Sequence, residues 1–185
     1  MCGRLNVIDD PLAKAVSDLL GISFSPENNT DLRPTQNVST VICANNAIQQ
    51  LDLPWGIKLE WAKRIIVNAQ AETVATKPTF RQAFQTSRVV VPCSGWYEWR
   101  IEEGKKQKYH FTSRDKSPLY MAAIALEGNQ KLVTLTTKPN QQCAEYHHRM
   151  PLLIQSNQVE QWLISSANDV GTLLRSEWNE QLFIA

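Results

Sequence analysis

Cys2 follows the initiator methionine directly, in the opening MCGR, and this position has a chemical consequence. Cysteine is small enough for Met1 to be trimmed in front of it. Cys2 would then carry a free α-amine beside its thiol, a 1,2-aminothiol that can close a five-membered ring on an aldehyde. With Met1 retained, Cys2 is an ordinary side chain near a chain end.

Three other stretches hold polar residues that need explaining. Asn68 opens NAQAET (68–73) directly after the apolar run RIIV. An asparagine there fits turn chemistry or a helix cap, and it also fits a positioned amide able to hold a sugar oxygen or a phosphate. Glu72, in the same stretch, reads as a capping-box partner of the helix that starts here. SGWYEW (94–99) sets Glu98 between Tyr97 and Trp99. Strand alternation puts Trp96 and Glu98 on one face and Tyr97 and Trp99 on the other. Glu98 is therefore either a solvated edge residue or a partly desolvated acid with a raised pKa. YHHRMP (146–151) packs two imidazoles, a guanidinium and a proline into six residues. Adjacent histidines cannot both face one site in regular structure, so one of the pair is the candidate proton-transfer group. Arg149 suits a phosphate. As a surface loop ahead of a strand near Leu152, the stretch needs no function.

The remaining candidates read mainly as structural. Trp55 and Trp61 in WGIKLEW are more often core than base-stacking platforms. His110 reads as a strand residue without a special role, and Cys43, Cys93 and Cys143 as small buried residues. With three histidines and no CxxC pair, the four cysteines give no zinc spacing, so no metal is expected. No cofactor is implied either.

The elements that must position these residues follow from pattern. DDPLAKAVSDLLG (9–21) reads as a helix with Asp9 or Asp10 as N-cap, Pro11 at the first helical position and Gly21 as the stop. Residues 22–36 read as a loop. VSTVICA and AIQQLDL flank Asn45-Asn46 as a hairpin. Strands are expected at 64–67, 88–92, 96–102, 107–112, 119–126 and 131–137, with turns at EEGKK and EGNQ. Residues 79–85 predict a helical turn or two, and the tail predicts two amphipathic helices over 157–164 and 168–176. The sum is an α+β domain, predominantly antiparallel β and curled toward a barrel, with a few peripheral helices. The whole chain, 1–185, is expected to form one domain.

Bulk properties narrow the class. The chain has 19 Lys and Arg against 18 Asp and Glu, a formal net charge of +1. Any polyanion site must therefore be a local patch. The N-terminus lacks the apolar run of a secretory signal, and no apolar run reaches the roughly 18 residues that would cross a bilayer. Reduced thiols in a cytoplasmic protein fit best.

Taken in order along the chain, MCGR, RPTQ (33–36), WG…W (55–61), NAQAET, PCSGWYEW, MAAI (121–124), HHRMP and Trp162-Leu163 resemble the SRAP family. This is the family of SOS-response-associated peptidases and abasic-site processing proteins. The resemblance implies a mostly β fold in which Cys2, exposed after Met1 removal, bonds covalently to abasic sites in single-stranded DNA. It implies Cys2 as nucleophile, its thiol helped toward thiolate, Asn68 as the sugar-positioning amide, and Glu98 and His147 as proton-transfer groups. His147 is preferred over His148 because it holds the first position of H-x-R-M-P. Arg4 and Arg149 are then the leading candidates for flanking phosphates, followed by Arg64, Arg81 and Lys58. Trp55 or Trp61 would stack a neighbouring base. The expected partner is abasic single-stranded DNA, met by a monomeric cytoplasmic protein that is nucleoid-associated when bound.

The sequence also departs from the family pattern. Gln70 stands where NARAET has arginine, Leu59 lies near the place of the usual proline before the second Trp, and QLFIA closes the chain without the family's common C-terminal strand region. Two rival readings use the same residues. One is an N-terminal-nucleophile thiol autopeptidase that removes Met1. The other is a non-covalent single-strand binding module in which Cys2 is incidental.

Overall fold

A computed structural model describes residues 2–185. Its strands are β1 (Leu5–Val7), β2 (Asn29–Leu32), β3 (Asn37–Ala44), β4 (Ala47–Pro54), β5 (Asn68–Gln70), β6 (Arg88–Cys93) and β7 (Gly95–Glu102). They continue with β8 (Lys105–Ser113), β9 (Leu119–Leu126), β10 (Lys131–Thr137), β11 (Met150–Pro151), β12 (Leu153–Ile154) and β13 (Leu182–Ile184). The α-helices are α1 (Asp9–Leu20), α2 (Ala71–Val74), α3 (Arg81–Thr86), α4 (Gln141–Ala144) and α5 (Val159–Ile164).

Among the described residues the strands form two mostly antiparallel sheets that curl without closing. One runs β13-β8-β7-β1-β2. The other runs β11-β10-β9-β6-β3-β4, with β12 beside β9 and β5 beside β10. The α+β class expected from the sequence is the observed one. β9 lies at the centre of the larger sheet, and all eight of its residues are buried, as its unbroken apolar run LYMAAIAL requires. The β3–β4 hairpin turns at Asn45 and Asn46 with φ of 53° and 60°, the left-handed pair that asparagine tolerates. At Gly95 a Cβ would lie 2.4 Å from the Phe111 carbonyl oxygen, so only glycine lets the start of β7 come this close to β8.

Arg88, 6% exposed, joins helices to sheet. Its guanidinium donates to the Phe84 and Gln85 carbonyls at the end of α3 and to the Trp162 and Ser165 carbonyls at the end of α5. These are orphan carbonyls of helix termini, and one buried cation satisfies both sets.

Several sequence-based expectations need correction. Ile8, without a capping side chain, precedes α1, and Asp10 has extended dihedrals, so the regular turn begins at Pro11. Gly21 does end the helix, at φ 65°. The loop over 22–36 contains β2, whose polar residues hid a short edge strand paired with β1. RIIV is not a strand. Its sheet contact is the isolated bridge Ile57–Ile66, and the strand is the NAQ that follows. The second tail helix is a single 3₁₀ turn at Leu173–Arg175. QLFIA supplies β13, which pairs with β8. A strand three residues long gives too little period-2 pattern to be read from sequence.

Candidate active site

The parallel pairing of β5 with β10 builds the centre of the site. Its register sets Asn68 against Thr134 and Gln70 against Thr136. The Asn68 amide donates to the Cys2 carbonyl at 2.8 Å, and the Thr134 hydroxyl donates to Asn68 Oδ1 at 2.6 Å. Thr134 is 1% exposed, so the amide is held from the sheet interior and its orientation is set. Thr134 and Thr136 were missed from sequence. The signal was present in KLVTLTT, where two hydroxyls share one face of an otherwise apolar strand.

Cys2 is 1% exposed, packed in the core beside the interior face of β7. Burial pushes its thiol well above the usual value, with the negative charge of Glu98 and then Cys93 adding to the shift. The thiol therefore holds its proton more tightly than an exposed cysteine does, and help from a base is needed to reach the thiolate. Glu98 is 3% exposed on the same face as the fully buried Trp96, and burial pushes its carboxyl up to about 7. Glu98 is therefore the desolvated acid of the two alternatives. Cys93 and Cys143 are buried with thiols pushed up to about 12, while Cys43 is only half-buried. Met1, whose removal the aminothiol chemistry requires, lies outside the described residues.

His147 follows α4 closely. Its N–H donates to the Cys143 carbonyl at 3.1 Å, and Asn140 Oδ1 caps the same short helix through the Cys143 N–H. Both backbone polar atoms of Arg149 lie 3.0 Å from His147 Nδ1, which fixes the ring. Burial lowers its pKa, with the neighbouring His148 contributing in the same direction. His148 is exposed, and its ring lies 4.2 Å from that of His147, centroid to centroid.

In front of Asn68 lies a cleft of about 520 Å³, bordered by Trp61, Gln70, Lys77, Phe80, His148 and Arg149 among others. Trp61 is 72% exposed and so able to stack a base, whereas Trp55 is fully buried and donates its indole N–H to the Val67 carbonyl. Trp55 is a core residue and not a stacking platform. Glu72 does not cap α2. It receives the Arg149 fork at 2.8 Å on both oxygens, and Arg149 also donates to the Thr136 carbonyl at 2.6 Å. Arg4 pairs with Asp31 at 2.7 Å and lies over the Trp99 ring. Arg64 and Arg81 are exposed but do not border the cleft, and Lys58 donates to the Ala62 carbonyl. A larger cavity of about 720 Å³, between residues 137–142 and 174–179, borders none of Cys2, Asn68, Glu98 and His147. Of these four only Asn68 borders the smaller cleft, to which Cys2 is linked by its hydrogen bond from Asn68, and His147 by its contacts with His148 and Arg149. Among the described residues no group of three or more His, Cys, Asp and Glu side chains could hold a metal ion, and no helix is long and apolar enough to cross a membrane.

The profile of the SOS response associated peptidase (SRAP) family matches residues 1–183. The chain belongs to the SRAP family. Among its relatives, abasic site processing protein YoqW of Bacillus subtilis strain 168 is 30% identical over 184 residues, covering 88% of this chain and 80% of that one. Abasic site processing protein YedK of Escherichia coli K12 is 27% identical over 176 residues, with 88% and 79% covered. The crystal structure of a phage-related protein from Bordetella bronchiseptica superposes with a TM-score of 0.80 at 21% identity, covering all of this chain and 93% of that one. That likeness concerns the SRAP fold alone.

Proposed function

We propose that this SRAP chain processes abasic sites in single-stranded DNA by covalent attachment through Cys2 after Met1 is removed. The observation that carries this reading is the hydrogen bond from Asn68 to the Cys2 carbonyl. It ties the first residue of the processed chain to an amide that also borders the cleft. The naming of its relatives as abasic site processing proteins supports the substrate.

The chemistry is that of a 1,2-aminothiol and an aldehyde. An abasic deoxyribose opens to an aldehyde at C1′. The Cys2 amine, with an intrinsic pKa of about 7.7–8.0, attacks C1′ and water leaves, giving an imine. The Cys2 sulfur then adds to the imine carbon and its proton ends on nitrogen, closing a thiazolidine. The buried thiol needs a base to give up that proton, and Glu98, at about 7, can take it and return it at neutral pH. His147 moves protons at the sugar ring oxygen during opening. Asn68 holds the sugar within reach, a proximity effect. Trp61 stacks a neighbouring base.

The test is a denaturing gel with abasic and intact oligonucleotides. A denaturation-resistant adduct with the abasic strand alone supports covalent processing. Native-gel binding without an adduct would instead favour a non-covalent binding module, and Met1 removal with no adduct an autopeptidase.

A further inference from the structure

The cleft must meet a polyanion, yet its cations are few. Gln70 is uncharged. Arg149 is cationic, but Glu72 takes its fork on both oxygens and the Thr136 carbonyl takes a further N–H. Only 13% of the Arg149 side chain is exposed, so its charge is largely neutralised within the protein. Lys77 borders the same cleft and is exposed. Its backbone carbonyl anchors the start of α3, accepting from the Phe80 and Arg81 N–H groups at 3.0 and 2.9 Å. Among the described residues its ammonium enters no ion pair and no side-chain hydrogen bond.

We propose that Lys77 is the residue that meets a backbone phosphate of the bound strand in this chain, and so determines its affinity for single-stranded nucleic acid. The stem is fixed at its base by α3, while the ammonium, a compact charge on four methylenes, is free to follow a phosphate. Trp61, Pro78 and Phe80 provide the apolar surface beside it, and Asn68 borders the same cleft at the sugar position. Cation, aromatic wall and amide together suit one nucleotide of a single strand. This rests on the proposed DNA reading and adds the residue that carries its charge.

Salt titration of binding to an intact, non-abasic oligonucleotide tests it, because no covalent step enters. Each phosphate neutralised on a single strand contributes about 0.7 to the slope of log affinity against log salt. Lys77→Met should lower the slope by about 0.7, and Lys77→Arg should keep it. Adding Gln70→Arg to Lys77→Met should restore it. A wild-type slope in Lys77→Met overturns the proposal. The gel with abasic DNA, run on the wild-type chain, separates the two readings. An adduct together with an unchanged Lys77→Met slope removes Lys77 alone, and no adduct and no salt-dependent binding removes both.

Discussion

Behind Cys2, Glu98 is sealed from solvent and burial pushes its carboxyl up to about 7, whereas Glu72, on the border of the larger cavity, has a side chain 37% exposed and the Arg149 guanidinium holds its carboxyl below the usual value. The two carboxylates thus have opposite environments. Glu98 can gain or lose a proton near neutral pH and so can act in proton transfer. Glu72 stays ionised and acts as a fixed counter-charge that orients Arg149. Desolvation creates a reactive group in the interior, while pairing creates a rigid one beside Arg149.

The comparison can be broken first at the nucleophile. Cys2→Ala should abolish the denaturation-resistant adduct with abasic DNA, and Cys2→Ser should leave at most a labile imine that borohydride traps. A stable adduct in Cys2→Ala, read on the same gel, would rule out the thiazolidine.

Glu98→Gln comes next. It should slow single-turnover crosslinking by about 10²–10⁴-fold, the usual contribution of a general acid or base. The wild-type rate should rise with pH through about 7 as Glu98 becomes the base, and the variant should lose that step and keep only the rise near about 7.7–8.0 that the amine itself gives. The same shift has a stability consequence. A carboxyl raised on folding, from 4.5 to about 7, stabilises the fold fully below the lower value and loses that contribution as pH rises through about 7. Denaturant titrations of Glu98→Gln should show a flatter stability profile across this window.

His147→Ala should have a more selective effect. Crosslinking to a closed-ring abasic site should slow, while a substrate already presenting an open aldehyde is affected less. Equal slowing of both substrates in the single-turnover assay would leave His147 as a positioning residue held by α4.

The smallest change is expected at the rim. Gln70→Arg should add about one phosphate contact, steepening the salt dependence of binding by about 0.7. Unchanged slopes for the two chains on one oligonucleotide would mean that position 70, although it borders the cleft, does not face the strand.

The elements with long, consistent patterns were legible without coordinates. The run LYMAAIAL, the Asn45-Asn46 turn and the alternation of WYEW are local properties of backbone sterics and side-chain period, and each appears where expected. Three- and four-residue strands were not legible, because β1, β2, β5 and β13 are strands only through their partners. The same holds within the site. The motif letters marked Asn68, Glu98, His147 and Arg149, but Thr134, Thr136 and Asp31 entered through pairing with residues far away in the chain.

By itself, the sequence determined the chemistry on offer: an aminothiol if Met1 is removed, a carboxyl between aromatic rings, an imidazole pair and a near-neutral balance of charge. Only the tertiary structure decided which side chains lost water. Trp55 and Trp61 differ little in local sequence, yet one is fully buried and the other 72% exposed. Glu72 and Glu98 are the same residue type, and their pKa values move apart because one faces a guanidinium and the other an apolar interior. Desolvation and charge pairing depend on the atoms surrounding a group in three dimensions, and most of those atoms come from distant parts of the chain.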